Sequence, residues 1–126
     1  MINKEQNFAS AIIYVHNAEN RVESFLKTII DVMETNFHHS EIICVNDAST
    51  DGSLVEIKKV SSLASCTSLS VINMSYFHGL EMAMNAGINL SIGDFVFEFD
   101  NTCLDFEPKI IMDIYQRALE EYDIVS

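Results

Sequence analysis

Apolar and polar positions along the chain follow two periods in turn. Short apolar runs occur at Ala11 to Val15, Glu41 to Val45, Leu69 to Met74, Phe95 to Phe99 and Asp123 to Val125, each of strand length. Between the first two, Val22, Phe25, Leu26, Ile29, Ile30 and Met33 recur at helical spacing as one stripe. Ile111, Ile114, Tyr115, Ala118 and Tyr122 repeat that pattern near the end, behind Pro108, which suits a first helical turn. Leu80 to Ser91, closed by Ile92-Gly93, predicts another helix. Ser53 and Glu56 have the spacing of a capping box and place a further helix start just after Asp51-Gly52. Strand and helix therefore alternate throughout. Such alternation predicts an α/β fold, a three-layer α/β/α sandwich whose mostly parallel, Rossmann-like sheet has right-handed crossovers and helices on both faces. Nearly all-apolar strands agree with a sheet covered on both sides. The Ser-rich stretch Ser61 to Ser70 reads as a surface loop, and with no repeat or linker the chain is expected to form one domain over 1–126.

Composition narrows the function classes. A 126-residue chain that is 48% hydrophobic can bury one core. Cys44, Cys66 and Cys103 form no close pair and leave an odd count, as expected of free thiols in a reducing compartment. No apolar run approaches the ~20 residues of a membrane span, and Ala11 to Val15 is too short for a signal-peptide core. The expected location is cytoplasmic, and peripheral attachment to the inner face of a membrane is compatible with it. The net charge of −12, from 19 acidic against 7 basic residues, repels polyanions and excludes a nucleic-acid polymer as partner. A small phosphorylated ligand stays open, because helix N-termini, backbone amides or a metal can supply positive potential.

Ligands of open parallel sheets sit outside the carboxyl ends of the strands, so the residues ending the predicted strands carry the candidate chemistry. The first ends in Tyr14-Val15-His16-Asn17, the second in the polar run Asn46 to Ser53, and the fourth in Phe99-Asp100-Asn101-Thr102. Asp47 can accept from a planar N–H donor such as a nucleobase imide, His16 can stack on a ring, and Asp100 can ligate Mg²⁺ or Mn²⁺ bridging two phosphates. Each has a plainer reading: Asp47 and Asp100 also suit turn caps, and His16 a hydrogen-bonded strand end. Asp51 is expected to order the Gly52 turn, His38-His39 to lie in a solvated loop, His78 to be a loop histidine, and Met82 and Met84 to pack.

In this order the motifs resemble the inverting family 2 glycosyltransferases, which have the GT-A fold. The opening Ile12-Ile13-Tyr14-Val15-His16-Asn17-Ala18-Glu19 is similar to that family's apolar strand followed by Pro-x-Tyr-Asn-Glu. Val45 to Ser53 is similar to Val-Asp-Asp-Gly-Ser-Thr-Asp-Gly-Ser, and Gly79 to Gly87 to Gly-Leu-x-x-Ala-Arg-Asn-x-Gly. Gly93 to Asp100 resembles the stretch entering the metal-binding Asp-x-Asp. The resemblance implies transfer of a sugar, with inversion, from a nucleotide-diphosphate sugar, UDP-sugar favoured. The acceptor would be a hydroxyl of a glycan or lipid-linked molecule, in polysaccharide or cell-surface glycan synthesis. It implies a nucleotide-binding set of Tyr14, His16, Asn17, Asp47, Ser49 and Gly79, with Asp47 on the base and Asp100 toward the diphosphate and its divalent metal. A catalytic residue stays unassigned, because the half of such enzymes that carries the acceptor site and general base has no counterpart before Ser126. The expectation is a donor-binding part that needs further residues for turnover.

Three departures remove charge that the family would place beside the ligand: Asn46 for the first Asp of the pair, Met84 for Arg, and Thr102 for the second Asp of Asp-x-Asp. They leave metal use open and favour an alternative, a degenerate nucleotide-binding or assembly module. Receiver-like signalling domains, similar in length, fail by position: they need an acidic pair where His16-Asn17 stand and an Asp where Met74-Ser75 stand. Homo-oligomerisation through an exposed last strand is also compatible with the pattern.

Overall fold

A computed structural model describes residues 4–122. Its elements alternate as the pattern requires: β1 (Ala9–Val15), α1 (Val22–Asn36), β2 (Ser40–Asp47), α2 (Ser53–Ser61), β3 (Thr67–Met74), α3 (Leu80–Leu90), β4 (Phe95–Phe99) and α4 (Lys109–Tyr122). Among the described residues the four strands form one sheet in the order β3-β2-β1-β4, every pairing parallel. The chain thus builds outward from β1 through β2 to β3, then crosses back to lay β4 on the other side of β1. Strand order reverses between β1 and β4.

Side-chain alternation sorts the layers. Ala9, Ala11, Ile13 and Val15 of β1 join Phe25, Leu26 and Ile29 of α1, Ile57 and Val60 of α2, and Ile111 and Tyr115 of α4 in the larger core. Ile12 faces the other way, with Ile43 and Val45 of β2, onto Ala83 and Met84 of α3. Three helices therefore cover one face and α3 the other, as a reversal of crossover direction demands. Each fully buried Ile, Leu or Phe contributes roughly 1.5–3 kcal/mol relative to exposure. Tyr115, also fully buried, keeps its hydroxyl paired, accepting from Asn7 Nδ2 at 2.9 Å and donating to Glu5 Oε1 at 3.2 Å.

The structure corrects the sequence reading in places. The capping box does not form: Ser53 is the first helical residue, and Asp51 Oδ1 accepts its N–H at 3.0 Å and its hydroxyl at 2.6 Å. Asp51 lies two residues ahead of Ser53 and reaches the free amide first, while Glu56 turns to Lys59. Part of the expected Ser61 to Ser70 loop is strand, since β3 begins at Thr67. Its half-exposed edge position lets alternate Ser residues face solvent, so the run lacks the continuous apolar signature of β2. The run Asp123 to Val125 lies outside the described residues. No helix among those described is long and apolar enough to cross a membrane.

Candidate functional site at the reversal of strand order

The even positions of β1 and the odd positions of β2 face α3, so Tyr14 and Asp47 arrive on one side of the sheet at its carboxyl rim. Tyr14 donates its hydroxyl to Asp47 Oδ2 at 2.8 Å. Two backbone amides from the turn before α3 complete the cluster: His78 N–H donates to Asp47 Oδ1 at 2.8 Å and Gly79 N–H to Oδ2 at 2.9 Å. Gly79 adopts φ +91°, which a side chain would strain, so the glycine is what lets this turn fold back onto the carboxylate. Asp47 is fully buried. Burial works to raise its pKa, but the His78 amide, the Tyr14 hydroxyl and the Gly79 amide outweigh it and hold the carboxyl below its ordinary value. Tyr14 moves the other way, pushed up to about 12 by burial and by donating to the carboxylate.

His16 sits on the same rim. Its Nδ1 lies 2.7 Å from the Asp47 carbonyl oxygen, which only accepts, so Nδ1 carries the proton and Nε2 faces the Asn17 amide at 3.4 Å. Phe77 meets the imidazole edge-on, ring centres 4.9 Å apart, and is itself well exposed. Asn17, at φ +49°, ties the loops together: its N–H donates to Ser49 Oγ and its Oδ1 accepts the Thr50 N–H. Ser49 in turn donates to Asn46 Oδ1 at 2.6 Å, and Asn46 Nδ2 donates to Asn73 Oδ1 across β2 and β3. Tyr14, His16, Asn17, Asp47, Ser49 and Gly79 thus form one connected network.

Asp100 approaches from the other side of the reversal. Together with Glu98 of β4, it lines an open cavity of about 750 Å³ against Leu80, Glu81, Met84 and Asn85 of α3. That volume is in the range of small-molecule sites. A second cavity, of about 100 Å³, lies between the tips of β1 and β4 and is lined by Tyr14, His16, Arg21, Asp100, Asn101 and Thr102. His16, Asp47 and Asp100, far apart in sequence, therefore gather at one rim.

The sequence departures have structural counterparts. Met84 is buried against Ile12, Ile43 and Val45 as packing, while Met82 is exposed. Thr102 is buried, and its Oγ1 has no hydrogen-bond partner. Among the described residues no three His, Cys, Asp or Glu side chains come together as a metal cluster. His38 and His39 lie exposed in the loop between α1 and β2, as expected. Arg21 and Phe77 were not singled out from the sequence. A usable signal for Arg21 existed, because the residue just before the helix that follows a first strand sits on the ligand rim of such sheets.

Comparison with known proteins places this geometry. The family described as glycosyl transferase family 2 matches residues 10–125. An uncharacterised glycosyltransferase of Synechocystis sp. is 31% identical over 116 residues, 92% of this chain and 36% of its own length. The undecaprenyl-phosphate 4-deoxy-4-formamido-L-arabinose transferase of Aeromonas hydrophila is 27% identical, over 100% of this chain and 38% of its own. The chain thus spans about a third of the length of the curated relatives it matches. In fold it is similar to residues 1–349 of S. aureus TarS in complex with UDP-GlcNAc, at TM-score 0.69 and 21% identity, covering 91% of this chain and 32% of that one. A mannosyltransferase of Pyrobaculum calidifontis in complex with GDP-Man and Mn²⁺ superposes at TM-score 0.66 and 20% identity, covering 73% and 26%. The parallel sheet with its reversal beside β1 is that of the GT-A glycosyltransferases, and the chain belongs to glycosyltransferase family 2.

Proposed function

We propose that the chain is the donor-binding part of a sugar transferase that holds a nucleotide-diphosphate sugar across the rim between β2, β1 and β4. The observation that carries this reading is the gathering of the Tyr14, His16 and Asp47 network beside the Asp100 cavities at the point of strand-order reversal. His16 and Phe77 offer ring surface for a base, Asn17 and Ser49 hold that subsite in shape, and the cavity against α3 has room for the sugar. The Asp47 carboxylate already accepts three donors, so direct contact with a base imide requires the His78–Gly79 turn to yield a position.

The donor set fits a divalent ion only in a loose mode. Asp100 is exposed and gives one carboxylate, its Oδ1 shared with Asn101 Nδ2 at 3.2 Å, and the remaining ligands would be phosphate oxygens and water, which Mg²⁺ accepts. When bound, such an ion offsets charge on the departing diphosphate. In this reading the chain's own residues bind and orient the donor. Undecaprenyl-phosphate relatives and a UDP-GlcNAc-bound structural neighbour favour a UDP-sugar donor, a lipid-linked acceptor and a place at the inner face of a membrane.

A second reading, an inactive nucleotide-binding or assembly module, draws support from the buried Met84 and the internally satisfied Asp47. Calorimetric titration with UDP and GDP, with and without Mn²⁺, tests both. Saturable binding that Asp47→Ala abolishes is expected; heat no different from buffer with every nucleotide would remove the donor-binding reading.

A further inference from the structure

Resting on the nucleotide-diphosphate reading and narrowing it, we infer that the edge of the nucleobase is read by His16 Nε2 and Asn17 Nδ2 instead of by the Asp47 carboxylate. The matching edge carries an N–H beside a carbonyl oxygen, as uracil and guanine do. Asp47 is 0% exposed. Its Oδ2 accepts from the Tyr14 hydroxyl and the Gly79 N–H, and its Oδ1 from the His78 N–H, so a base reaches the carboxylate only if the turn before α3 opens. Opening strips two amides from a buried carboxylate, which costs more than one new hydrogen bond returns. Asp47 is thus a positioning residue, and it acts on the ligand side through its backbone carbonyl.

Two backbone groups settle what the neighbouring side chains offer. The Asp47 carbonyl oxygen, 2.7 Å from His16 Nδ1, requires the proton there, which leaves Nε2 with its lone pair. The Thr50 N–H donates to Asn17 Oδ1 at 2.8 Å, which turns the amide so that Nδ2 stands beside His16. An acceptor and a donor of fixed identity therefore lie side by side at the rim. They hold each other loosely, because the 3.4 Å between Nδ2 and Nε2 exceeds the usual range of about 2.7–3.2 Å. Neither atom has another hydrogen-bond partner among the described residues. His16 is half-buried and Asn17 exposed, so a ligand can reach both. Phe77, 59% exposed, stands edge-on to the imidazole with ring centres 4.9 Å apart. A base lying against Phe77 brings its edge to His16, where its ring N–H donates to Nε2 and its carbonyl accepts from Nδ2. Phe77 then supplies the ring surface and His16 the hydrogen bond.

The test is calorimetry at constant Mn²⁺ with UDP, GDP and their forms methylated at the ring N–H, 3-methyl-UDP and 1-methyl-GDP, on the wild type, His16→Phe and His16→Gln. The wild type should bind its preferred parent nucleotide about tenfold more tightly than the methylated form, the scale of one hydrogen bond at a partly buried site. His16→Phe keeps a ring but has no acceptor, and should bring that ratio near one. His16→Gln, whose amide oxygen accepts, should keep part of it. A purely structural histidine would weaken parent and methylated forms together and leave the ratio unchanged. ¹⁵N NMR of the wild type gives a check that needs no variant: the free protein should carry the His16 proton on Nδ1, and the parent nucleotide, unlike its methylated form, should shift the Nε2 resonance. A wild-type ratio near one, a ratio that survives His16→Phe, or a proton on Nε2 in the free protein overturns the inference and leaves donor binding standing. Absence of saturable binding for all four nucleotides overturns the donor-binding reading and the inference with it.

Discussion

Asp47 shows how one side chain can organise a site by being satisfied. Its oxygens join β1 through Tyr14 and the turn before α3 through His78 and Gly79, so the carboxylate fixes three segments at once. Asp47→Asn keeps the shape but turns an NH₂ group toward at least one of these donors. That should cost about 2–3 kcal/mol at neutral pH, from lost charge-assisted bonds and one buried donor left unpaired. The pH dependence follows from the depressed pKa. A carboxyl held below its ordinary 3.8 contributes in full above that value and loses its contribution as pH falls through the folded-state pKa. The gap in melting temperature between wild type and Asp47→Asn should therefore be widest near pH 7 and close below about pH 4. Glu34 and Asp51, also held below their ordinary values, titrate in both proteins and cancel in the difference. A gap that stays constant from pH 7 to pH 3 would show that Asp47 acts through shape alone.

Elements were legible where one periodicity ran unbroken. The Val22 to Met33 stripe predicts α1, and its members Phe25, Leu26 and Ile29 are buried. Edges and ends were not, because there solvent replaces packing: β3 alternates with Ser, and the start of α2 depends on which neighbour reaches an amide first. In the site, the motif residues on strand tips were readable because strand direction puts them on one rim. The saturation of Asp47 by turn amides was not, since it depends on where the backbone of residues 76–79 passes. Neither was the closeness of α3 to the sheet, although Gly87 hinted at it. A Cβ on Gly87 would run into Ile12 and press on Val45. Two effects compete in Gly87→Ala. Helix propensity favours Ala by about 1 kcal/mol, whereas forcing a methyl into a packed layer costs typically ~1–3 kcal/mol. The clash is with branched core side chains that have little room to move, so the variant should be less stable by about 1 kcal/mol or more in urea unfolding. A more stable variant would mean that α3 sits farther from the sheet than described.

At the scale of the whole molecule, the acidic excess and the proposed anionic ligand act against each other, and distance decides which prevails. A charge of −12 repels a nucleoside diphosphate from tens of ångströms away. Contacts within the site operate only at a few ångströms. Raising ionic strength from about 0.01 M to about 0.15 M shortens the screening length from roughly 30 Å to roughly 8 Å, which removes most of the long-range repulsion and little of the contact. Association should therefore speed up with salt, by a few-fold over that range, while dissociation changes little. A basic nucleotide site behaves in the opposite sense. Stopped-flow mixing with a fluorescent UDP analogue in EDTA, across a NaCl series, measures the sign directly. An association rate that falls with salt would mean that the ligand meets a locally positive surface, and that the acidic residues lie too far from the rim to be felt there.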